Sequence, residues 1–425
     1  MSRGFDIILF GATGVTGRYT LEALYKACQQ EKLSFAVAGR NEGRLNEALE
    51  EVAKWLGKDP KGFSAEVPKV IANTSDQESL RKMARQCRIV VNTVGPYRFY
   101  GEAVVSACVE EGTNHVDVSG EPAFIESMQL KYHELAKAKN VYIVSACGFD
   151  SIPCDTLISF TKENFRGRLN SIETFLTFRS PKGGATNTGT WNSLIQGVAN
   201  RGELPALRKK TAEVLFPTKP EKPKFKLDSR GLVSTTAVAK GYSLPFPGSD
   251  RPVALTSERF RVQVDPNYKA VQVQTYFQMP SLLSVFLLSL GAALFLIMTQ
   301  FSRGRSLLSK YPHVFSFGFF REGGATRDQL EDRTFRTYAL GKGWHADDDE
   351  SKPPTRKIVC AIDGPDPGYI GTGRMLVTSA VCILKESTVM PSSGGCIPPG
   401  FAFEKTTLRR RLEDVGFKFT VKSSE

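Results

Sequence analysis

The chain has 425 residues, of which 41% are hydrophobic and 24% charged, a composition typical of a folded globular protein and unlike that of disordered or fibrous chains. Its length predicts two domains rather than one small core. The net charge of +12 at pH 7 favours anionic partners, but the sequence carries no DNA- or RNA-binding motif, so nucleic acid is not an expected partner.

The N-terminal segment predicts a strand, a glycine-rich turn and a helix in that order. Residues 6–10 form an apolar run, which we interpret as a strand and not as a signal peptide, and residues 19–28 carry apolar side chains at helical spacing. This is the context of a dinucleotide-binding fingerprint, in which glycines allow a sharp turn, close approach of the pyrophosphate and close packing of helix on strand. The predicted cofactor contacts in the turn are Gly11, Thr13, Gly14, Val15, Thr16 and Gly17.

The second predicted strand, residues 35–39, is followed at once by Arg40. A site that prefers NAD usually has Asp or Glu at this point to hold the ribose hydroxyls, whereas the first acidic residue here is Glu42. The Arg40 guanidinium suits a 2′-phosphate. The sequence therefore favours NADP(H) over NAD(H), with a merely solvated arginine as the alternative interpretation.

Strands and helices continue to alternate up to residue 144. Strands are predicted over 69–72, 88–94, 115–118 and 141–144, with helices over 78–87, 102–112 and 122–139. Such alternation predicts a doubly wound parallel sheet that binds ligands beyond the carboxyl ends of its strands. We interpret residues 95–101 as a rigid aromatic loop at that edge. Two of its residues, Gly95 and Pro96, complete the predicted cofactor contacts.

The second half of the chain is predicted as a second α/β domain. Its expected strands cover residues 171–178, 258–264, 270–277 and 417–421, with a helix from Trp191, an exposed linker over 217–226 and a helix over 403–415. The predicted division is therefore a Rossmann domain over residues 1–155 and a second domain over residues 156–425.

A long apolar segment interrupts this second domain. No charged residue occurs from Ala270 through Ser302, and residues 281–299 are nearly all apolar. That length is enough for a helix to cross a bilayer, and a buried core helix is the alternative. Because Arg303, Arg305 and Lys310 follow directly, we predict that residues 281–301 associate with a membrane.

Reduction by hydride transfer needs a proton donor near the acceptor. Titratable side chains on the predicted edge are Tyr97, Tyr100, Asp117, Glu121 and Asp150, each with a structural role as the alternative. We predict that Tyr97 contacts substrate and that Asp150 orients it. The spacing Tyr338-x-x-x-Lys342 imitates a short-chain dehydrogenase pair but lies far from the dinucleotide domain, so we interpret it as coincidence. The scattered His and Cys residues predict no metal site.

Several motifs together resemble the saccharopine dehydrogenase family, and within it the animal saccharopine dehydrogenase-like oxidoreductases. They are found at residues 11–17, 38–40, 94–97, 117–121, 148–153, 189–191 and 394–400. The resemblance implies an N-terminal Rossmann domain, a second α/β domain that closes over the nicotinamide, and NAD(P)-dependent redox chemistry. It also implies relatives that include enoyl reductases of polyketide-derived lipids, and an association of animal members with lipid droplets and membranes.

Three functions follow from these observations. The first is a membrane- or lipid-droplet-associated NAD(P)H-dependent oxidoreductase that reduces a lipophilic carbonyl or enoyl substrate. The second is a saccharopine-type amino-acid dehydrogenase, which the apolar segment and the lack of an evident set of paired cations disfavour. The third is a non-catalytic nucleotide-binding scaffold, against which the intact glycines and Arg40 argue. The sequence leaves open whether the chain forms a homo-oligomer.

The family resemblance implies that residues 394–400 belong to the same folded body as the middle of the chain. A single membrane crossing at residues 281–299 would separate these parts. We therefore predict a monotopic or re-entrant attachment with both halves of the chain on the cytosolic face of a membrane or lipid droplet.

Overall fold

The structure is a computed structural model that describes residues 3–391 and 393–424. It divides into two compact units. The first unit contains Met1–Ile152 and Pro367–Val415, and the second contains Pro153–Asp366 and Gly416–Glu425. The predicted boundary at residue 155 lies close to the first break. The assignment of all of residues 156–425 to the second domain is wrong, because residues 367–415 belong to the first unit.

Strands and helices alternate from the N-terminus to Val144, as the sequence predicts, except that two helices lie between the second and third strands. They are β1 (Phe5–Phe10), α1 (Val15–Glu31), β2 (Phe35–Gly39), α2 (Glu42–Trp55), α3 (Pro60–Glu66), β3 (Lys69–Ile71), α4 (Gln77–Arg85), β4 (Cys87–Asn92), α5 (Tyr97–Glu110), β5 (Asn114–Asp117), α6 (Pro122–Ala138) and β6 (Tyr142–Val144).

The middle of the chain has a more mixed order. Its elements are α7 (Ile152–Asn164), β7 (Arg168–Arg179), β8 (Thr186–Asn187), α8 (Thr188–Ala199), α9 (Leu204–Leu215), β9 (Tyr242–Pro245), α10 (Asp250–Val264), β10 (Gln272–Met279), α11 (Leu282–Thr299), α12 (Ser302–Lys310), α13 (Pro312–Phe315), β11 (Phe320–Arg321), α14 (Arg327–Asp332), β12 (Thr334–Trp344) and β13 (Arg356–Pro365). The C-terminal elements are α15 (Ile370–Glu386), β14 (Gly395–Cys396), α16 (Pro399–Ala402), α17 (Leu408–Asp414) and β15 (Lys418–Ser424).

The first unit is built on a parallel sheet of seven strands in the order β14-β6-β5-β4-β1-β2-β3. The three residues Ile7, Ile8 and Leu9 of β1 are fully buried, as expected for a strand with helices on both faces. The order reverses at β1, which has β2 on one side and β4 on the other. Such a switch point opens a crevice at the carboxyl ends of the strands. This confirms the predicted doubly wound Rossmann fold.

The return of residues 367–415 to the first unit depends on long-range pairing. Strand β14 extends the sheet in parallel to β6 through Gly395 and Cys396. Helix α15 packs along α1, and a Cβ at Gly373 would lie 2.9 Å from the Thr20 nitrogen. A two-residue strand carries too little periodicity to be recognised in the sequence.

The second unit is built on a mixed sheet of six strands in the order β15-β13-β12-β7-β10-β9, with β8 and β11 as a separate pair. The predicted strand over 258–264 is wrong, since these residues form the last turns of α10. Buried Val253, Ala254, Phe260 and Arg261 recur at helical spacing along α10. The alternation of Phe260, Val262 and Val264 imitates a strand only when the first half of the helix is ignored.

The sheet of the second unit also determines how the apolar segment is connected. Strand β10, which precedes α11, pairs with β7 on one side, and β12 pairs with β7 on the other. Phe277 of β10 lies beside Leu176, and Thr334 of β12 lies beside Arg179. The chain therefore leaves and re-enters the sheet at the same end of β7. A single membrane crossing by α11 is incompatible with this arrangement.

Candidate functional site

The turn between β1 and α1 needs glycine at two of its three glycine positions. Gly11 has a φ of +97°, a conformation that L side chains rarely adopt. A Cβ on it would lie 2.8 Å from both Thr93 Oγ1 and Val94 Cγ2. A Cβ on Gly17 would overlap the Gly11 carbonyl oxygen. Gly17 thus allows α1 to pack closely against the end of β1, and Gly11 allows the turn to lie against the residues that follow β4.

Gly14 is different, because nothing in the protein requires it to be glycine. It has an extended conformation with φ −76° and ψ 164°, which any residue can adopt. The nearest atom to a Cβ placed on it is the Gly11 carbonyl oxygen at 3.5 Å. Gly14 is solvent-exposed at the N-terminus of α1, beside the half-buried Thr13, Val15 and Thr16. A glycine at this point keeps the space in front of the helix N-terminus open.

Two arginines follow β2 at the same edge of the sheet. Arg40 directly succeeds the strand and is exposed, as a contact with a 2′-phosphate would require. Asn41 caps α2 by accepting a hydrogen bond of 2.9 Å from the Arg44 backbone N–H. The Arg44 side chain is exposed on the first turn of that helix. Sequence reasoning missed Arg44, although its place four residues after Arg40 at a helix start was visible.

Asp117, at the carboxyl end of β5, joins two loops of the edge. Its Oδ1 accepts hydrogen bonds from the Ser119 N–H at 2.9 Å and the Ala146 N–H at 3.2 Å. Its Oδ2 accepts a hydrogen bond of 2.8 Å from the Ser145 hydroxyl. Burial raises the pKa of Asp117 to about 6. These hydrogen bonds occupy both carboxylate oxygens of Asp117 and hold the loops after β5 and β6 in place.

Residues 97–101, predicted as a loop, form the first turn of α5. Pro96 occupies the N-cap position, and the Gly95–Pro96 peptide bond is cis. The carboxylate of Glu121 accepts hydrogen bonds of 3.0 Å from the backbone N–H groups of Tyr97 and Arg98. The helix starts five residues early because this distant carboxylate satisfies its first donors.

Tyr97 does not have the surroundings expected of a substrate contact. It is 6% exposed, and its hydroxyl donates a hydrogen bond of 3.0 Å to the Asn92 carbonyl oxygen. Burial raises the pKa of Tyr97 well above its usual value. The predicted substrate contact of Tyr97 stays a prediction, and this burial favours a structural role for the side chain. The accessible rings on the same turn are Phe99, which is 58% exposed, and Tyr100, which is 41% exposed.

Asp150 lies at the same edge in the loop after β6. It is half-buried, and burial raises the pKa of its carboxyl group to about 6. A Cβ on Gly120 would lie 2.7 Å from Asp150 Oδ2, so that glycine leaves room for the carboxylate. The loop is held from the returning segment, where Thr372 Oγ1 accepts a hydrogen bond of 3.2 Å from the Phe149 N–H. Sequence reasoning missed Thr372 because it assigned α15 to the other domain.

Other sequence signals have no part in this site. Tyr338 and Lys342 lie on strand β12 and not on a helix, so their resemblance to a short-chain dehydrogenase pair is coincidental. Among residues 3–391 and 393–424, no three His, Cys, Asp or Glu side chains are grouped as metal ligands would be.

Comparisons with known proteins agree with this geometry. Residues 7–144 match the family model described as the saccharopine dehydrogenase NADP binding domain. The chain is 38% identical over 428 residues to the saccharopine dehydrogenase-like oxidoreductase of Rattus norvegicus. The alignment covers 99% of this chain and 98% of that protein. The chain belongs to the family of saccharopine dehydrogenase-like oxidoreductases. The resemblance predicted from its motifs is thereby confirmed.

The same family includes a protein named for its location. The chain is 35% identical over 432 residues to the lipid droplet localized protein of Caenorhabditis elegans, with 100% of this chain and 99% of the relative covered. Among solved structures, apo saccharopine dehydrogenase (L-Glu forming) from Saccharomyces cerevisiae matches 99% of this chain with a TM-score of 0.53 at 13% identity. That likeness shows that the two proteins share a fold.

Proposed function

We propose that this chain is an NADP(H)-dependent oxidoreductase that works at a lipid surface on a lipophilic carbonyl or enoyl substrate. The observation that carries the redox part is Gly14. Neither its backbone conformation nor its packing requires glycine, and it stands exposed where an α-helix N-terminus attracts phosphate. A pyrophosphate lying against the turn explains why a side chain is absent there.

The two arginines after β2 support NADP(H) over NAD(H). Arg40 and Arg44 are exposed at the edge where the adenosine ribose of a dinucleotide lies in this fold. Guanidinium groups bind phosphate with paired, charge-assisted hydrogen bonds. We assign Arg40 and Arg44 to the 2′-phosphate, with Gly11, Gly14 and Gly17 shaping the pyrophosphate site.

The residues at the carboxyl ends of the strands provide a titratable acid and apolar surface, both of which the reduction of a lipophilic substrate needs. The bound nicotinamide supplies the hydride. Asp150, with a pKa of about 6, is protonated in part of the population near neutral pH and serves as the candidate proton donor or orienting group. The exposed rings of Phe99 and Tyr100 offer apolar surface beside it.

The lipid-surface part rests on α11. Among the described residues it is the one helix long and apolar enough to cross a membrane, and most of its side chains are exposed. Large exposed apolar patches mark interaction sites, and a family member is named for lipid droplets. We propose monotopic docking on the cytosolic face, because the sheet connection of α11 is incompatible with a single crossing.

A pair of glycine variants tests the redox part. Gly14→Val places a side chain where the pyrophosphate is proposed to lie, and we expect an NADPH dissociation constant at least tenfold higher with an unchanged unfolding temperature. Gly197→Ala, in open space on α8, is the control and should leave the NADPH dissociation constant unchanged. Titration of NADPH fluorescence measures both variants. Unchanged NADPH binding by Gly14→Val would refute the assigned turn.

The substrate class is tested separately by NADPH oxidation with two panels of acceptors. We expect turnover of long-chain enals, enones or ketones presented in micelles. Turnover of aminoadipate semialdehyde with glutamate, and of no lipophilic acceptor, would replace this proposal with the saccharopine reaction. Activity in neither panel would favour a nucleotide-binding scaffold.

A further inference from the structure

The segment around α11 combines exposed apolar surface with an unbalanced charge. From Pro266 through Arg321 the sequence contains no Asp or Glu, but it contains Lys269, Arg303, Arg305, Lys310 and Arg321. Exposed large apolar side chains in the same segment include Leu283, Phe286, Leu290, Leu294, Ile297, Phe301 and Phe317. Basic and apolar residues together fit an anionic lipid surface, because cations are attracted to its headgroups and apolar side chains to its acyl chains.

Only a narrow stripe of α11 faces the protein. Val285, Phe295 and Thr299 are its buried residues. Phe295 packs against Trp191 of α8, with ring centroids 4.9 Å apart. The remaining circumference is exposed along the whole helix. A helix that packs on α8 through this stripe and is immersed in acyl chains on its other side accounts for this pattern.

Arg305 and the start of α12 are fixed at the C-terminal end of α11. The Arg305 guanidinium donates a hydrogen bond of 2.8 Å to the Thr299 carbonyl oxygen. Gly304 fits so closely that a Cβ on it would overlap the Met298 carbonyl oxygen. Helix α12 is in turn anchored to α8, because Trp191 Nε1 donates a hydrogen bond of 2.8 Å to the Leu308 carbonyl oxygen.

This anchoring decides between two orientations of α11. Its 18 residues span about 27 Å, close to the thickness of a bilayer's hydrocarbon core. If α11 stood upright, Arg303 and Arg305 would be carried to the far side of that core, and α8 and α12 would have to follow them. Charged side chains within the hydrocarbon are costly. If α11 lies flat, both of its ends stay at the level of the headgroups.

We propose that α11 lies in the plane of an anionic phospholipid leaflet, with its exposed side immersed in acyl chains and with Arg303, Lys310 and Arg321 at the headgroups. This rests on the lipid docking proposed above and names its orientation and its partner. The in-plane orientation excludes two alternatives for α11, namely a re-entrant loop and a docking surface for a second copy of the chain.

Depth measurements test the orientation. All eight native cysteines are buried, so a fluorescent probe can be attached to single cysteines introduced as Leu283→Cys, Leu290→Cys and Ile297→Cys. Vesicles of phosphatidylcholine and phosphatidylserine carry spin-label quenchers at a shallow or a deep acyl position. We expect the shallow quencher to act best, and equally, at all three sites. Lys209→Cys, exposed on α9, should stay unquenched.

Deeper quenching at residue 290 or 297 than at residue 283 would overturn the in-plane orientation. Absence of quenching together with a concentration-dependent dimer in solution would show that a second copy covers α11, which also overturns it. Failure of the same protein to bind NADPH would count against the proposed redox function alone, so the two failures are distinguishable.

Charge variants test the partner. A cation near an anionic surface contributes about fivefold to binding, so Arg303→Gln combined with Lys310→Gln and Arg321→Gln should weaken binding to phosphatidylserine-containing vesicles by about two orders of magnitude. The matched control, Lys209→Gln with Lys210→Gln, should have little effect. Equal binding of the unmodified protein to neutral and anionic vesicles would refute an anionic partner.

Discussion

We propose that the choice between the two nicotinamide cofactors depends on single guanidinium groups. Replacing Arg40 or Arg44 by glutamine removes charge-assisted hydrogen bonds to the 2′-phosphate. We expect each change to weaken NADPH binding by about 1.5–3 kcal/mol and to leave NADH binding unchanged. Fluorescence titration with both cofactors measures this, and Lys61→Gln, an exposed charge on α3, is the control. Equal affinities of the unmodified protein for NADPH and NADH would contradict the assignment.

Tyr97 is expected to stabilise the fold and not to bind substrate. In Tyr97→Phe the Asn92 carbonyl oxygen loses its hydroxyl donor, so the free energy of unfolding should fall by about 1 kcal/mol. The KM of the acceptor should stay the same. Denaturant unfolding and steady-state kinetics provide the two readouts. A raised KM with unchanged stability would restore the role that the sequence suggested.

Asp150 should make both stability and activity depend on pH. Its pKa is raised from 3.8 to about 6 in the folded protein, so between these values the folded state holds a proton that the unfolded state has lost. This group therefore lowers the free energy of unfolding as the pH rises from about 4 to about 6. Asp150→Asn should remove that contribution. Asp117, whose pKa is also raised to about 6, should keep its own contribution to the pH dependence.

The kinetic readout separates a proton donor from a structural acid. If Asp150 donates the proton, kcat/KM for reduction falls as the pH rises through about 6, and this limb disappears in Asp150→Asn. An identical pH profile in the variant would leave Asp150 with only a role in stability.

Among the elements, those defined by local pattern could be predicted and those defined by distant partners could not. The β1 strand, the glycine turn and α1 follow each other directly, so the sequence predicts them together with their glycines. The early start of α5 depends on Glu121, more than twenty residues away, which accepts from its first two N–H groups. The place of α15 depends on packing against α1, which no periodicity in residues 370–386 reveals.

The candidate site follows the same rule. Gly14 and Arg40 could be found because a fingerprint gives them a position relative to a strand. The burial of Tyr97 could not be predicted, because proximity to the edge does not show which way a side chain points. Thr372 could not be found at all, since it reaches the loop of Phe149 from a segment more than two hundred residues later.

The packing of α8, α11 and α12 depends on one aromatic side chain. Trp191 is 5% exposed, contacts Phe295 and Phe320, and donates to the Leu308 carbonyl oxygen. Trp191→Ala should destabilise this group of helices by about 3–5 kcal/mol. Amide hydrogen exchange should become faster in α11 and α12 and stay the same in α1. Trp55→Ala, in the first unit, is the control, and protection in α12 that survives Trp191→Ala would contradict this role.

At the scale of the whole molecule, the residues proposed to bind the nucleotide and the helix proposed to dock on lipid belong to different compact units. The glycine turn and Arg40 lie in the first unit, and α11 lies in the second. A variant combining Leu283→Gln, Leu290→Gln and Ile297→Gln changes only exposed side chains of α11. Its affinity for NADPH and its unfolding temperature should therefore equal those of the unmodified protein.

The same variant should lose activity selectively. It should no longer float with vesicles, and it should fail to turn over an acceptor embedded in them, because docking supplies the high local concentration of that acceptor. A short-chain, water-soluble acceptor of the same chemistry meets the enzyme without docking and should be reduced at the normal rate. Vesicle flotation and NADPH oxidation with the two acceptors measure these outcomes. Equal loss with both acceptors would mean that α11 is needed for the chemistry itself and not for access to lipid.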